Sequence, residues 1–146
     1  MSLPALPFGI SSFGNLRLSG RIYVDKTDLI FSMVEKHSRV LLTRPRRFGK
    51  SLLISVLQSL FRSGVEDFQD LKIEKLWQEQ KQYKVVRLDF SETSSSRLER
   101  FELNFALHLM NSFGVFGFQC DSYLLPELLE KLSEWLEGQE PGSLVL

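Results

Sequence analysis

Three adjacent residues, Gly49, Lys50 and Ser51, combine a permissive backbone, a long cation and a hydroxyl. Together they suit the binding of a phosphate chain. Glycine has no Cβ to keep a phosphate away from the backbone. Lysine reaches the outer phosphates as a mobile point charge, and a serine hydroxyl can ligate the Mg²⁺ that bridges them. Arg44, Pro45, Arg46, Arg47 and Phe48 precede the triplet. These residues give a candidate nucleotide-binding set of Arg46, Arg47, Phe48, Gly49, Lys50, Ser51 and Leu52. Lys50 is the catalytic candidate, and Ser51 is the metal-ligand candidate for Mg²⁺.

Such a site needs a strand to deliver the loop and a helix to receive it. Val40-Leu41-Leu42-Thr43 reads as the strand, and the apolar periodicity over 52–61 reads as the helix. The first helical turn leaves backbone N–H groups unpaired, and the helix dipole stands behind them, so an anion is favoured there. The strict Walker A pattern, G-x-x-x-x-G-K-[ST], fails at its first position, where Arg44 stands. On the triplet alone, a basic surface loop ahead of a core helix is an equal reading.

Three blocks carry a wider likeness: Pro7-Phe8-Gly9-Ile10-Ser11-Ser12-Phe13, then Tyr23-Val24-Asp25-Lys26-Thr27, then Thr43 through Ser51. They resemble the opening blocks of the predicted AAA-ATPase-like family, and the likeness continues through 68–73 and 85–90. Arginine in place of the first glycine is that family's own habit. The resemblance implies an α/β fold, a P-loop NTPase-like parallel sheet flanked by helices, with ATP and Mg²⁺ as cofactors. It also implies that the segment before the first strand lies near the adenine, which makes Asp25, Lys26 and Thr27 candidate nucleotide-proximal residues. Read from the residues alone, Asp25 or Thr27 caps a helix over 28–36 whose buried stripe is Leu29, Ile30, Met33 and Val34. Capping and nucleotide contact are compatible. Many bacterial members of the family carry a restriction-endonuclease-like domain after the ATPase domain, so nucleic acid enters as a partner through the parent protein.

Composition bounds these readings. The 146 residues are one domain's worth of chain and are 43% hydrophobic, with 18 basic residues balancing 18 acidic ones. Zero net charge offers no bulk basic excess for nucleic acid. The lone Cys120 rules out an internal disulfide and a zinc site of cysteine type, and it fits a reducing, cytoplasmic setting. No stretch is apolar for long enough to span a membrane.

Residues 1–39 read as an N-terminal arm and helix, and 40–146 as the P-loop core. In the arm, Leu6, Phe8, Ile10, Phe13 and Leu16 are expected to pin the chain down. A strand is expected over 85–90. Asp89 at its end invites comparison with a Walker B aspartate, but no acidic residue follows directly and the resembled family places that strand later. Ser91 to Ser96 reads as a polar turn. His37 and His108 make no believable triad with any serine, and His108 reads as a packed or surface residue of a helix over 98–113. A last helix, capped by Asp121 or Ser122, should bury Leu125, Leu128, Leu129, Leu132 and Leu136. The resemblance places an acidic Walker B strand where the chain ends, so the expectation is a fragment that hydrolyses ATP poorly. Strands 40–43 and 144–146 are then left with unpaired edges that invite a homo-oligomer.

Two other readings stay open. Arg44, Arg46, Arg47 and Lys50 with Phe48 form a basic-aromatic patch suited to a nucleic-acid backbone or a protein partner. A degenerate P-loop serving only as scaffold is the other.

Overall fold

The structure, a computed structural model, describes residues 5–92 and 97–146. It comprises two units in sequence, the first ending at Gln82 and the second beginning at Tyr83. The serines expected in a polar turn at 94–96 lie outside the described residues.

In the first unit, helix α1 (Phe13–Leu18) begins where the Ser12 hydroxyl accepts the Asn15 N–H, a serine cap of the usual kind. The arm expected to be extended is therefore partly helical. Phe13 and Leu16 are wholly buried as expected, but Leu6 is exposed and Phe8 is 81% exposed. Only the residues that the helix turns inward find partners. The Phe13 ring lies 4.7 Å from Phe68 and 5.2 Å from Tyr23, and its N–H donates to Ser55 Oγ.

Helix α2 (Thr27–Lys36) buries Thr27 and Ile30, with Phe31 and Val34 packed beside them. Leu29, expected in the stripe, is 65% exposed. The stripe starts from Thr27, and positions 27, 30, 31 and 34 share one face at helical spacing, which puts Leu29 outside it. Helix α3 (Lys50–Ser63) buries Val56 and Leu60, flanked by Leu52, Leu53 and Leu57. It stops at Gly64, whose φ of 64° is easy for glycine and whose N–H donates to the Leu60 carbonyl at 2.9 Å. A 3₁₀ turn (Glu66–Phe68) and the short α4 (Ile73–Leu76) then set Phe68, Leu71 and Ile73 into the same core.

In the second unit, β1 (Lys84–Val85) pairs in parallel with β2 (Leu144–Val145), Lys84 opposite Leu144 and Val85 opposite Val145. Helices α5 (Leu98–Gly114) and α6 (Leu125–Glu137) lie between them in sequence, because parallel strands need a crossover. Val86, Ala106, Leu109, Phe113, Phe118, Leu128 and Leu132 form the core, with the Cys120 thiol buried beside them. On α6 the expected stripe is corrected at one edge. Leu129 and Leu136 are exposed, and Trp135 packs instead, 6.0 Å from Phe113 and 5.9 Å from Phe118. Ser122 accepts the Leu124 N–H two residues before the N-cap position, which is Leu124, so neither Asp121 nor Ser122 caps α6.

The sheet is far smaller than the sequence suggests. Among the described residues the ladder comprises two residues from each strand, and the chain is mostly helical. The strand expected over 85–90 gives way to a 3₁₀ turn at Phe90–Glu92. Residues 40–43 join no ladder, and Val40 is 51% and Leu41 91% exposed. A strand exists only beside a partner that takes its N–H and C=O groups. Among the described residues none lies beside 40–43. No described helix is long and apolar enough to cross a membrane.

Candidate phosphate-binding site

Gly49 is the N-cap of α3, left-handed at φ 73° and ψ 18°. A Cβ there would meet no protein atom within 4 Å, so the dihedral is what calls for glycine. Arg47 is left-handed too, at φ 67°, whereas Phe48 between them is not. A non-glycine residue in that region costs about 1–2 kcal/mol. Alternation of this kind turns successive N–H groups toward one side, as in anion-binding nests. The first helical bond runs from Leu53 N–H to the Gly49 carbonyl at 2.9 Å. The N–H groups of Lys50, Ser51 and Leu52 therefore precede any acceptor within the helix.

Lys50 folds back over the loop. Its Nζ donates to the Arg44 carbonyl at 2.6 Å and to the Pro45 carbonyl at 2.8 Å. The ammonium thus sits within the loop that precedes its own helix. Ser51, Arg46, Arg47 and Phe48 are exposed, Phe48 at 64%, while Leu52 faces the core of the first unit. This donor set fits a phosphate group: one cation, a row of early helical N–H groups, and a hydroxyl next to the cation. Two shallow concavities elsewhere, one edged by Asp28, Lys72 and Glu74 and another by Glu99, Leu103 and Tyr123, include none of these residues.

Asp25 and Thr27 are brought together at the start of α2. Asp25 Oδ1 accepts the Thr27 N–H at 2.9 Å and its hydroxyl at 2.7 Å, and Oδ2 accepts the Lys72 N–H at 2.9 Å. Thr27 Oγ1, fully buried, accepts the Ile73 N–H at 3.1 Å. Asp25 and Thr27 thus staple the start of α2 to the start of α4. Burial works against ionisation of Asp25, but the hydrogen bonds from Thr27 and Lys72, with the Lys72 charge, outweigh it and lower its pKa. The Lys72 ammonium pairs with Asp28 at 2.9 Å, which lowers the Asp28 pKa and raises that of Lys72. Lys26 is the N-cap position of α2, with an exposed side chain; its carbonyl accepts the N–H groups of Leu29 and Ile30.

Sequence reasoning did not find Lys72 or Ser55. No local pattern announces a backbone N–H that serves a carboxylate 47 residues earlier, or a mid-helix serine that receives the Phe13 N–H. No group of three or more metal-ligating side chains converges among the described residues.

A left-handed glycine thus opens a 14-residue helix whose first lysine folds back over the carbonyls of the preceding loop. The chain belongs to the family described as Predicted AAA-ATPase, whose model matches residues 7–142. It is also similar to an "Uncharacterized protein in vnfD 5'region" of Azotobacter chroococcum mcd 1, with 36% identity over 91 residues. That stretch covers 62% of this chain and 18% of the relative's length. No solved structure matches the chain. The family implies a P-loop fold, of which most of the sheet is absent among the described residues.

Proposed function

We propose that this chain binds a nucleoside triphosphate, ATP with Mg²⁺, at the first turn of α3, as the nucleotide-binding part of a cytoplasmic ATPase. The reading rests above all on the Lys50 ammonium, set at the helix N-terminus beside Gly49 and held by carbonyls of Arg44 and Pro45. Those two bonds hold the cation inside the loop. A terminal phosphate offers it a charged partner instead, and opposite charges add a Coulomb attraction that a neutral carbonyl does not supply. The N–H groups of Lys50, Ser51 and Leu52 would take phosphate oxygens, and Ser51 Oγ would take the metal. When bound, Mg²⁺ neutralises charge on the outer phosphates. Arg46 and Arg47 add positive potential from the exposed rim. Asp25 and Thr27 serve the site by fixing α2, and Lys26 remains available to the nucleotide.

Removing a hydrogen bond to a charged group costs about 1.5–3 kcal/mol, so Lys50→Ala should weaken ATP·Mg²⁺ binding roughly 10- to 100-fold by calorimetry. Unchanged affinity would remove the assignment. A second reading has its own observation: Arg46, Arg47 and Phe48 lie side by side and exposed, as a patch for a nucleic-acid backbone requires. If Lys50→Ala leaves free ATP unbound by either protein yet weakens a single-stranded oligonucleotide with steep salt dependence, that reading replaces the first.

A further inference from the structure

We propose that a second copy of this chain docks its basic-aromatic loop, 44–48, into the acidic groove between the start of α5 and the segment that leads into α6. The groove is lined by the carboxylates of Glu99, Glu102 and Asp121 and by the apolar faces of Leu103, Tyr123 and Leu124. Tyr123 is 56% exposed and Leu124 63%. Among the described residues that line it, none is basic. An apolar floor within an acidic rim therefore stands open to solvent, and its occupant must bring cations together with a bulky apolar group.

The chain itself carries such an occupant. Arg44, Arg46 and Arg47 are exposed, and Phe48 beside them is 64% exposed. Arginine with an aromatic neighbour is a composition that recognition surfaces favour. The loop is also held before it docks, because Lys50 Nζ donates to the Arg44 and Pro45 carbonyls, so little ordering cost opposes binding. The zero net charge conceals the same complementarity on a larger scale: residues 1–82 carry 13 basic and 8 acidic side chains, whereas residues 83–146 carry 5 and 10. Opposite charges on loop and groove steer two copies together. Loop and groove are different surfaces, so the contact runs head to tail. A loop of this length covers much less than the roughly 1,200–2,000 Å² of a stable interface, so the association is weak, reversible and dependent on concentration and salt. No nucleotide takes part, so the contact stands or falls independently of the phosphate site.

The test is sedimentation equilibrium of the full chain without nucleotide, at about 0.1 M and about 1 M salt, between which the reach of exposed charges falls from roughly 10 Å to 3 Å. The wild-type protein should self-associate at the lower salt, and about 10-fold or more weakly at the higher. Two charge-reversed proteins, R46E/R47E in the loop and E99K/E102K in the groove, should each stay monomeric, since like charges then face each other. Mixed in equal amounts they should associate again, because each supplies the charge that the other lost, and that outcome also shows both to be folded. A wild-type chain still monomeric at about 1 mM, where a millimolar contact is substantially formed, overturns the proposal. Association that survives both reversals belongs to another surface, such as residues 40–43, and overturns it too. So does a mixture that stays monomeric where the wild type associates.

Discussion

Asp25 shows how one carboxylate can hold two distant segments. It accepts three donors, and its partner Thr27 accepts a fourth from inside the core. Thr27→Val keeps the shape but leaves the buried Ile73 N–H without its acceptor, so it should cost about 1–3 kcal/mol in denaturant unfolding. Asp25→Ala, at a half-buried position, should cost a similar amount at neutral pH. The folded-state pKa of Asp25 lies below the ordinary value of 3.8. Its stabilisation is therefore fully present above that value and is lost as pH falls through the lower, folded one. The gap between wild type and Asp25→Ala should accordingly shrink in acid. A gap that stays constant down to strong acid would show that the carboxylate's charge plays no part. That Asp25 serves the start of α2 was legible in sequence, because its nearest target is two residues away, although the N-cap position itself is Lys26. Its bond to Lys72 was not, since nothing at short range encodes it.

Helix α3 carries the site on one end and the core of the first unit on its side. Leu60 is buried and packs in that core, whereas Ile54 is 47% exposed. Leu60→Ala should destabilise by about 2–5 kcal/mol. Ile54→Ala should stay within about 0.5 kcal/mol, as surface changes usually do. Equal losses at both positions, by thermal or denaturant melting, would mean that α3 buries a different face. The helix itself was plain in the sequence, from its apolar period to the glycine that ends it. Faces were harder to read: Trp135 packs on α6 where Leu129 and Leu136 are exposed, and the buried face of α2 runs through Phe31 and leaves Leu29 outside. Residues 40–43 have strand composition, yet composition cannot supply the neighbour that a strand needs.

At the scale of the molecule, the bonds of the first unit tie segments far apart in the chain. Phe13 binds Ser55, Arg17 donates to the carbonyls of Asp67 and Gln69, Asp25 binds Lys72, and Thr27 binds Ile73. Every one of these bonds bridges the exposed run Arg44, Arg46 and Arg47. A single tryptic cut in that run should therefore leave two pieces that stay together without a covalent link. They should co-elute from a sizing column under native conditions and separate only in denaturant. Immediate separation after the cut would show that the peptide linkage through the loop, and not the packing, holds α1 and α2 to α3. If the pieces stay paired, the loop that leads into Lys50 has no duty as a tether. Its length and sequence are then free to vary with what it binds, while the fold of the first unit goes on being held from both sides of the break.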